Sequence, residues 1–130
     1  MAVERISPDG VHEATGYTHV VRTGGAELAF ISGQIGVRRD GSVAGADLES
    51  QTRQAFANLG AALSAVGAKP SDVAKVTIFV VGWSPELRPA LMAGRGDFFG
   101  EQPPASTLLG VQALARPELL IEVEAIAALG

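Results

Sequence analysis

The chain has 130 residues, of which 47% are hydrophobic and 18% charged, with a formal net charge of -4. Those values predict one globular domain over residues 1–130 with a buried core, and exclude a disordered chain. The acidic balance argues against a general nucleic-acid or membrane-surface binder. With no cysteine, disulfides, a thiol nucleophile and thiolate metal ligation are excluded too.

Residues 1–14 carry the turn signal Pro8-Asp9-Gly10 and read as a lead-in. They lack a basic stretch followed by an apolar one, and no apolar run approaches the ~18 residues of a membrane span, so a cytoplasmic location is expected. Gly16–Thr23 and Glu27–Gln34 are strand-like runs about Gly24-Gly25, which predicts a β-hairpin. Gly33 marks a bulge or a close approach to the backbone. The spacing of Leu48, Thr52, Ala55, Phe56, Leu59, Leu63 and Val66 predicts a helix from Leu48 to Val66, with Asp47 as N-cap and Gly67 just past its end. A turn at Pro70-Ser71-Asp72 leads into the strand Val73–Val81. A shorter helix, weakened by Gly94 and Gly96, is predicted over Pro89–Phe99.

The last stretch, Pro104 to Ala128, reads as two strands joined by a turn at Ala115-Arg116-Pro117-Glu118. Successive side chains in a strand point to opposite faces. Ile121, Val123, Ala125 and Ala127 therefore share one face, and Leu120, Glu122, Glu124, Ile126 and Ala128 the other. Two carboxylates on an otherwise apolar face point to chemistry, since burying an ionised carboxylate is costly without a partner.

A single sheet with both helices on one face satisfies this order of elements, giving an α+β fold. Val76, Ile78 and Val80 would face the helices. Lys75, Thr77, Phe79 and Val81 would lie beside Leu120, Glu122, Glu124 and Ile126 on a face too apolar for water, with no element left to cover it. A closed homo-oligomer, its sheets meeting through that face, is the expected cover.

Gly16-Tyr17-Thr18-His19-Val20, Ile31-Ser32-Gly33-Gln34-Ile35, the central helix, Phe98-Phe99, and Pro104-Ala105 leading into Ile121–Ala127 together resemble the reactive intermediate deaminase family. That family is also called RidA or YjgF, and in older descriptions L-PSP endoribonuclease. The resemblance implies a chorismate-mutase-like fold, a homotrimer with three inter-subunit pockets, and hydrolysis of enamines and imines to carbonyl compounds and ammonia. It implies no metal and no organic cofactor. It also implies ligand-binding roles for Tyr17, Ser32, Gly33 and Ser106, and a catalytic role for Glu124 in orienting or activating water.

Active members carry an arginine directly after the Pro-Ala pair, whose guanidinium grips the substrate carboxylate. Here that position is Ser106, which supplies one neutral donor in place of a bidentate, charge-assisted fork. A neutral ligand would suit such a pocket better, unless Arg95 or Arg22 enters from elsewhere. Met92 stands where family enzymes often have asparagine.

Each residue has a plainer reading. Glu124 could pair with Lys75 or a neighbouring subunit, and Glu122 reads as structural, bridged to Lys75. Tyr17 either lines the ligand or packs locally. Ser106 has no evident base to make it a nucleophile, and His12 and His19 lack metal-ligand spacing. Two functions follow: an enamine or imine deaminase with altered recognition, or a non-catalytic small-molecule binding or sensing trimer. The ribonuclease suggested by the older label fits the acidic composition least.

Overall fold

The two strands with the strictest alternation lie at the centre of the sheet. The computed structural model describes residues 3–130. Its strands are β1 (Val3–Ile6), β2 (Val20–Thr23), β3 (Glu27–Ile35), β4 (Val73–Val81), β5 (Ala105–Val111) and β6 (Ile121–Leu129). Its helices are α1 (Leu48–Ala65) and α2 (Arg88–Arg95). Four strands form a mixed sheet in the order β3-β6-β4-β5, in which β5 runs parallel to β4 and the other neighbours are antiparallel.

The register sets Val76 opposite Ala125, Ile78 opposite Val123 and Val80 opposite Ile121. All six are buried in one cluster with Phe56, Leu59 and Leu63 of α1 and Leu91 of α2. Both helices thus pack on the face the alternation assigns to them. Burying each large side chain there stabilises the fold by about 1.5–3 kcal/mol.

α1 has the expected caps. The Asp47 carboxylate accepts from the Ser50 N–H. Gly67, at φ 71°, donates to the Ser64 carbonyl while Ala68 donates to Leu63, closing the helix with two bonds. Val66 leaves the stripe and is exposed, because as the C-cap residue it no longer has helical ψ. Gln51, outside the stripe, is fully buried. Its amide donates to the Gly45 and Glu118 carbonyls, and its oxygen accepts from the Leu120 N–H. α2 is shorter than its pattern suggests and stops at Gly96, φ 57°. Gly94, unfavourable for an isolated helix, is what lets α2 approach α1: a Cβ there would lie 2.6 Å from the Thr52 Cβ.

Three expectations change. β2 does not form a hairpin with β3. It pairs antiparallel with β1, whose strand lies inside the segment read as a lead-in, while β3 pairs with β6. The Gly24-Gly25 stretch is a crossing between two sheets. β5 and β6 are strands, but β4 lies between them, since its alternating face matches both. Nor is the open face wholly bare: Val3, Val21 and Ala26 of the β1–β2 region pack over Ala74 and Ala128 at one end. The remainder carries Phe30, 74% exposed, with Leu28 and Leu109.

Candidate functional site

The loop before β2 is tied down beside the start of β5. Thr18 donates from its backbone N–H to Pro104 and from its hydroxyl to Pro103. Arg95, in the last turn of α2, donates from Nη2 to the Gly16 carbonyl at 3.1 Å. These ties leave a groove of about 500 Å³ between the loop, α2 and the β4–β5 edge. It is lined by Thr15, Gly16, Tyr17, Ile78, Arg88, Leu91, Met92, Arg95, Ser106 and Leu108. Tyr17 and Ser106 thus reach one place, together with Met92.

Its polar lining consists of the Thr15, Tyr17 and Ser106 hydroxyls and two arginines, the rest being apolar or glycine, and among the described residues no carboxylate lines it. Arg95 is the arginine that enters. Arg22 is held away, on Glu4 of the β1–β2 ribbon. Among the described residues neither Arg88 nor Arg95 forms an ion pair. The Arg95 guanidinium lies 5.2 Å from the Phe99 ring centroid, and its buried Nε has no hydrogen-bond partner. Burial pushes its pKa below the ordinary arginine value. A desolvated cation without a counter-charge is unfavourable until an anion arrives.

Both histidines lie beside Tyr17. His12 Nε2 is 2.7 Å from the Tyr17 hydroxyl, and His19 Nε2 donates to the His12 carbonyl at 2.7 Å. The His12 and His19 rings meet edge to face at 4.9 Å. Among the described residues no cluster of His, Cys, Asp or Glu is placed to hold a metal ion. The histidines instead orient the groove's only phenol. No spacing rule links residue 12 to residue 17 in an irregular loop, so this contact has no local signature in the chain.

The remaining candidates lie elsewhere. Ile31 pairs with Ala125 and Gln34 with Val123, so Ser32 and Gly33 together oppose Glu124 in a β-bulge. Glu124 also faces Thr77 on β4 and is exposed in the single chain. Glu122 turns towards the bulge: a Cβ on Gly33 would lie 1.9 Å from Glu122 Oε2. Gly33 therefore leaves open the space that the Glu122 carboxylate fills. The bridge expected between Glu122 and Lys75 is absent, because Lys75 Nζ donates to Thr107 Oγ1 at 2.6 Å. Lys75 lies opposite Ile126, two residues beyond Glu124 along the strand.

Ser106 pairs with Val76 and Thr107 with Thr77, which puts Ser106 on the helix side and Thr107 on the open side with Glu124. Within one chain the candidate residues are divided by the thickness of the sheet. A larger cavity, about 610 Å³, lies between the end of α1 and the chain's last residues, and contains none of them.

A family model described as endoribonuclease L-PSP matches residues 9–129. A RutC family protein of Pyrococcus horikoshii is 33% identical over 112 residues, covering 85% of each chain. A 2-iminobutanoate/2-iminopropanoate deaminase of Dermatophagoides farinae is 36% identical over 112 residues, 85% of this chain and 83% of that one. A solved structure from Yersinia pestis, YyfB, described as a Rid family protein of unknown function, superposes with a TM-score of 0.93. It is 39% identical and the match covers 99% of this chain and 100% of that one.

Proposed function

The chain belongs to the endoribonuclease L-PSP family, also called RidA or YjgF, and on that premise we propose that it is an enamine or imine deaminase working as a homotrimer. The fold is then of the chorismate-mutase-like type, one domain over residues 1–130, with pockets where subunits meet. The deaminase relative supports the reaction class.

The observation that carries this reading is the division of the site between two faces of one sheet. Tyr17 and Ser106 line the groove, while Ser32, Gly33 and Glu124 lie at the bulge on the far side. One subunit cannot bring both sets to one ligand. The bulge of one subunit laid against the groove of the next can, and the exposed Phe30 and Leu109 supply apolar surface for that contact.

In such a pocket Glu124 accepts a proton from water as the water oxygen attacks the imine carbon. It returns that proton to nitrogen, giving a carbinolamine. The remaining hydroxyl proton then passes to nitrogen by way of the same carboxylate as the carbon–nitrogen bond breaks, leaving a carbonyl compound and ammonia. Recognition is altered, because Ser106 offers β5 no positive charge. No metal or organic cofactor takes part, and neither nucleic acid nor membrane is a partner. No helix among the described residues is long and apolar enough to cross a membrane.

The test is ammonia release from imines generated in situ, with Glu124→Gln and Glu122→Gln assayed side by side. Loss of turnover in Glu124→Gln, with most activity kept in Glu122→Gln, supports the assignment. The reverse pattern moves the role to the carboxylate against Gly33. A second reading is a non-catalytic binding or sensing trimer, favoured by a groove in which Ser106 has no base beside it. It predicts ligand-dependent thermal stabilisation with no ammonia from any substrate.

A further inference from the structure

The groove contains a cation with no counter-charge among the described residues. Arg95 is half-buried and, among the described residues, forms no ion pair and makes one hydrogen bond, to the Gly16 carbonyl, while its buried Nε goes unused. Arg88 lines the same groove from about two turns earlier on α2, its guanidinium 5.6 Å from the Trp83 ring centroid. Among the described residues no acid lines the groove to neutralise either. Guanidinium is the side chain best shaped to grip a carboxylate by two parallel bonds. Leu91 and Met92 of α2 lie between the two arginines in sequence, and with Ile78 of β4 and Leu108 of β5 they give the groove an apolar lining, in a space of the size that small ligands occupy.

We propose that Arg95, assisted by Arg88, is the specificity residue of this groove, and that its ligand is a small monocarboxylate with an extended or branched aliphatic chain. The carboxylate lies at the α2 end and the chain on the apolar lining. The charge that Ser106 cannot provide from β5 comes from α2, so the ligand is anchored at the opposite wall. A phosphate would bring a second charge and more acceptors than this lining can satisfy. The proposal rests on the groove being the ligand side of the site proposed above.

The experiment is equilibrium binding by calorimetry at fixed ionic strength, without turnover, using butyrate, hexanoate, hexanamide and inorganic phosphate. Hexanoate should bind more tightly than butyrate by about fourfold per added methylene. Hexanamide should bind at least tenfold more weakly than hexanoate, and phosphate should show no binding at the same concentrations. Arg95→Met should weaken hexanoate by about tenfold or more, as expected for lost bonds to a charged group. Arg95→Lys, which keeps the charge and loses the fork, should fall between, and Arg88→Ala should cost about two- to threefold.

Arg95→Met removes a half-buried charge together with its bond to Gly16 and its contact with Phe99, so thermal melts and circular dichroism without ligand are recorded for each variant to separate lost binding from lost folding. Equal binding of acid and amide overturns the proposal, as does binding of phosphate in place of hexanoate, or hexanoate affinity unchanged in Arg95→Met and Arg95→Lys. A loss of assembly in Arg95→Met, with no carboxylate binding by the unmodified protein, reassigns the arginine to a subunit contact and also overturns it. Hexanoate binding without any imine hydrolysis would count against the deaminase reading alone. Hydrolysis of neutral imines without hexanoate binding would count against this proposal alone.

Discussion

The two faces of the sheet are built from alternate residues of the same strands, yet they end in opposite conditions. On the helix side Val80, Ile121, Val123 and Ala127 are fully buried. On the other side Phe30 and Leu109 are exposed in the single chain, and the β1–β2 region shields one end. One face is closed by the chain's own helices, and the other stays largely open. The stability of the subunit resides in the first. The proposed assembly, and with it the completion of the site, uses the second.

The comparison is broken most strongly from the closed side. Phe56→Ala should cost about 3–5 kcal/mol in urea denaturation, because Phe56 is 2% exposed and packs against Phe98 and Phe99. Gln51→Ala should cost about 2–4 kcal/mol by the same measurement. It strands the Gly45 and Glu118 carbonyls and the Leu120 N–H, three backbone groups that the amide now satisfies.

The open face should respond differently. Phe30→Asp should leave the subunit's far-ultraviolet circular dichroism unchanged and shift its sedimentation towards that of a single chain. An unchanged sedimentation coefficient, with the unmodified protein assembled, would place the contact elsewhere. The smallest effect lies away from both faces. Bonds from the Ser50 backbone N–H and hydroxyl hold the Asp47 carboxyl below its usual pKa. A group depressed in the folded state adds stability above its unfolded value and loses it as pH falls through the folded one. Thermal melts should therefore decline below pH ~4, and Asp47→Asn should remove part of that slope while keeping the cap.

Alternation and capping are local signals, and the features they control were legible in the chain. The facing of β4 and β6 follows from alternate residues at Val76–Val80 and Ile121–Ala125, and both ends of α1 from Asp47 and Gly67. The bulge followed from a single glycine in a strand. Strand partners are a different kind of information. Gly24-Gly25 suits a tight hairpin, but β3 gains more by burying its inner face beside β6, and that competition is settled by residues a hundred positions away. Gln51 escaped the helical stripe because its burial depends on carbonyls in two loops.

The site divides in the same way. Tyr17 and Ser106 converge because Thr18 is bonded to Pro103 and Pro104, a contact spanning 85 residues that no local pattern encodes. Arg95 and Arg22 were equal candidates as letters. The Glu4 carboxylate on β1 takes Arg22, and the end of α2 delivers Arg95 to the groove. Glu122 and Glu124 alternate with the same period and differ only through the bulge, which turns one carboxylate towards Gly33 and leaves the other exposed.

Sedimentation equilibrium of the purified chain at micromolar concentration tests most directly whether the open face is a subunit contact. A mass three times that of the chain, falling when Phe30 is replaced by aspartate, is the expected result. A single-chain mass at every concentration would contradict the account, because groove and bulge would then never meet.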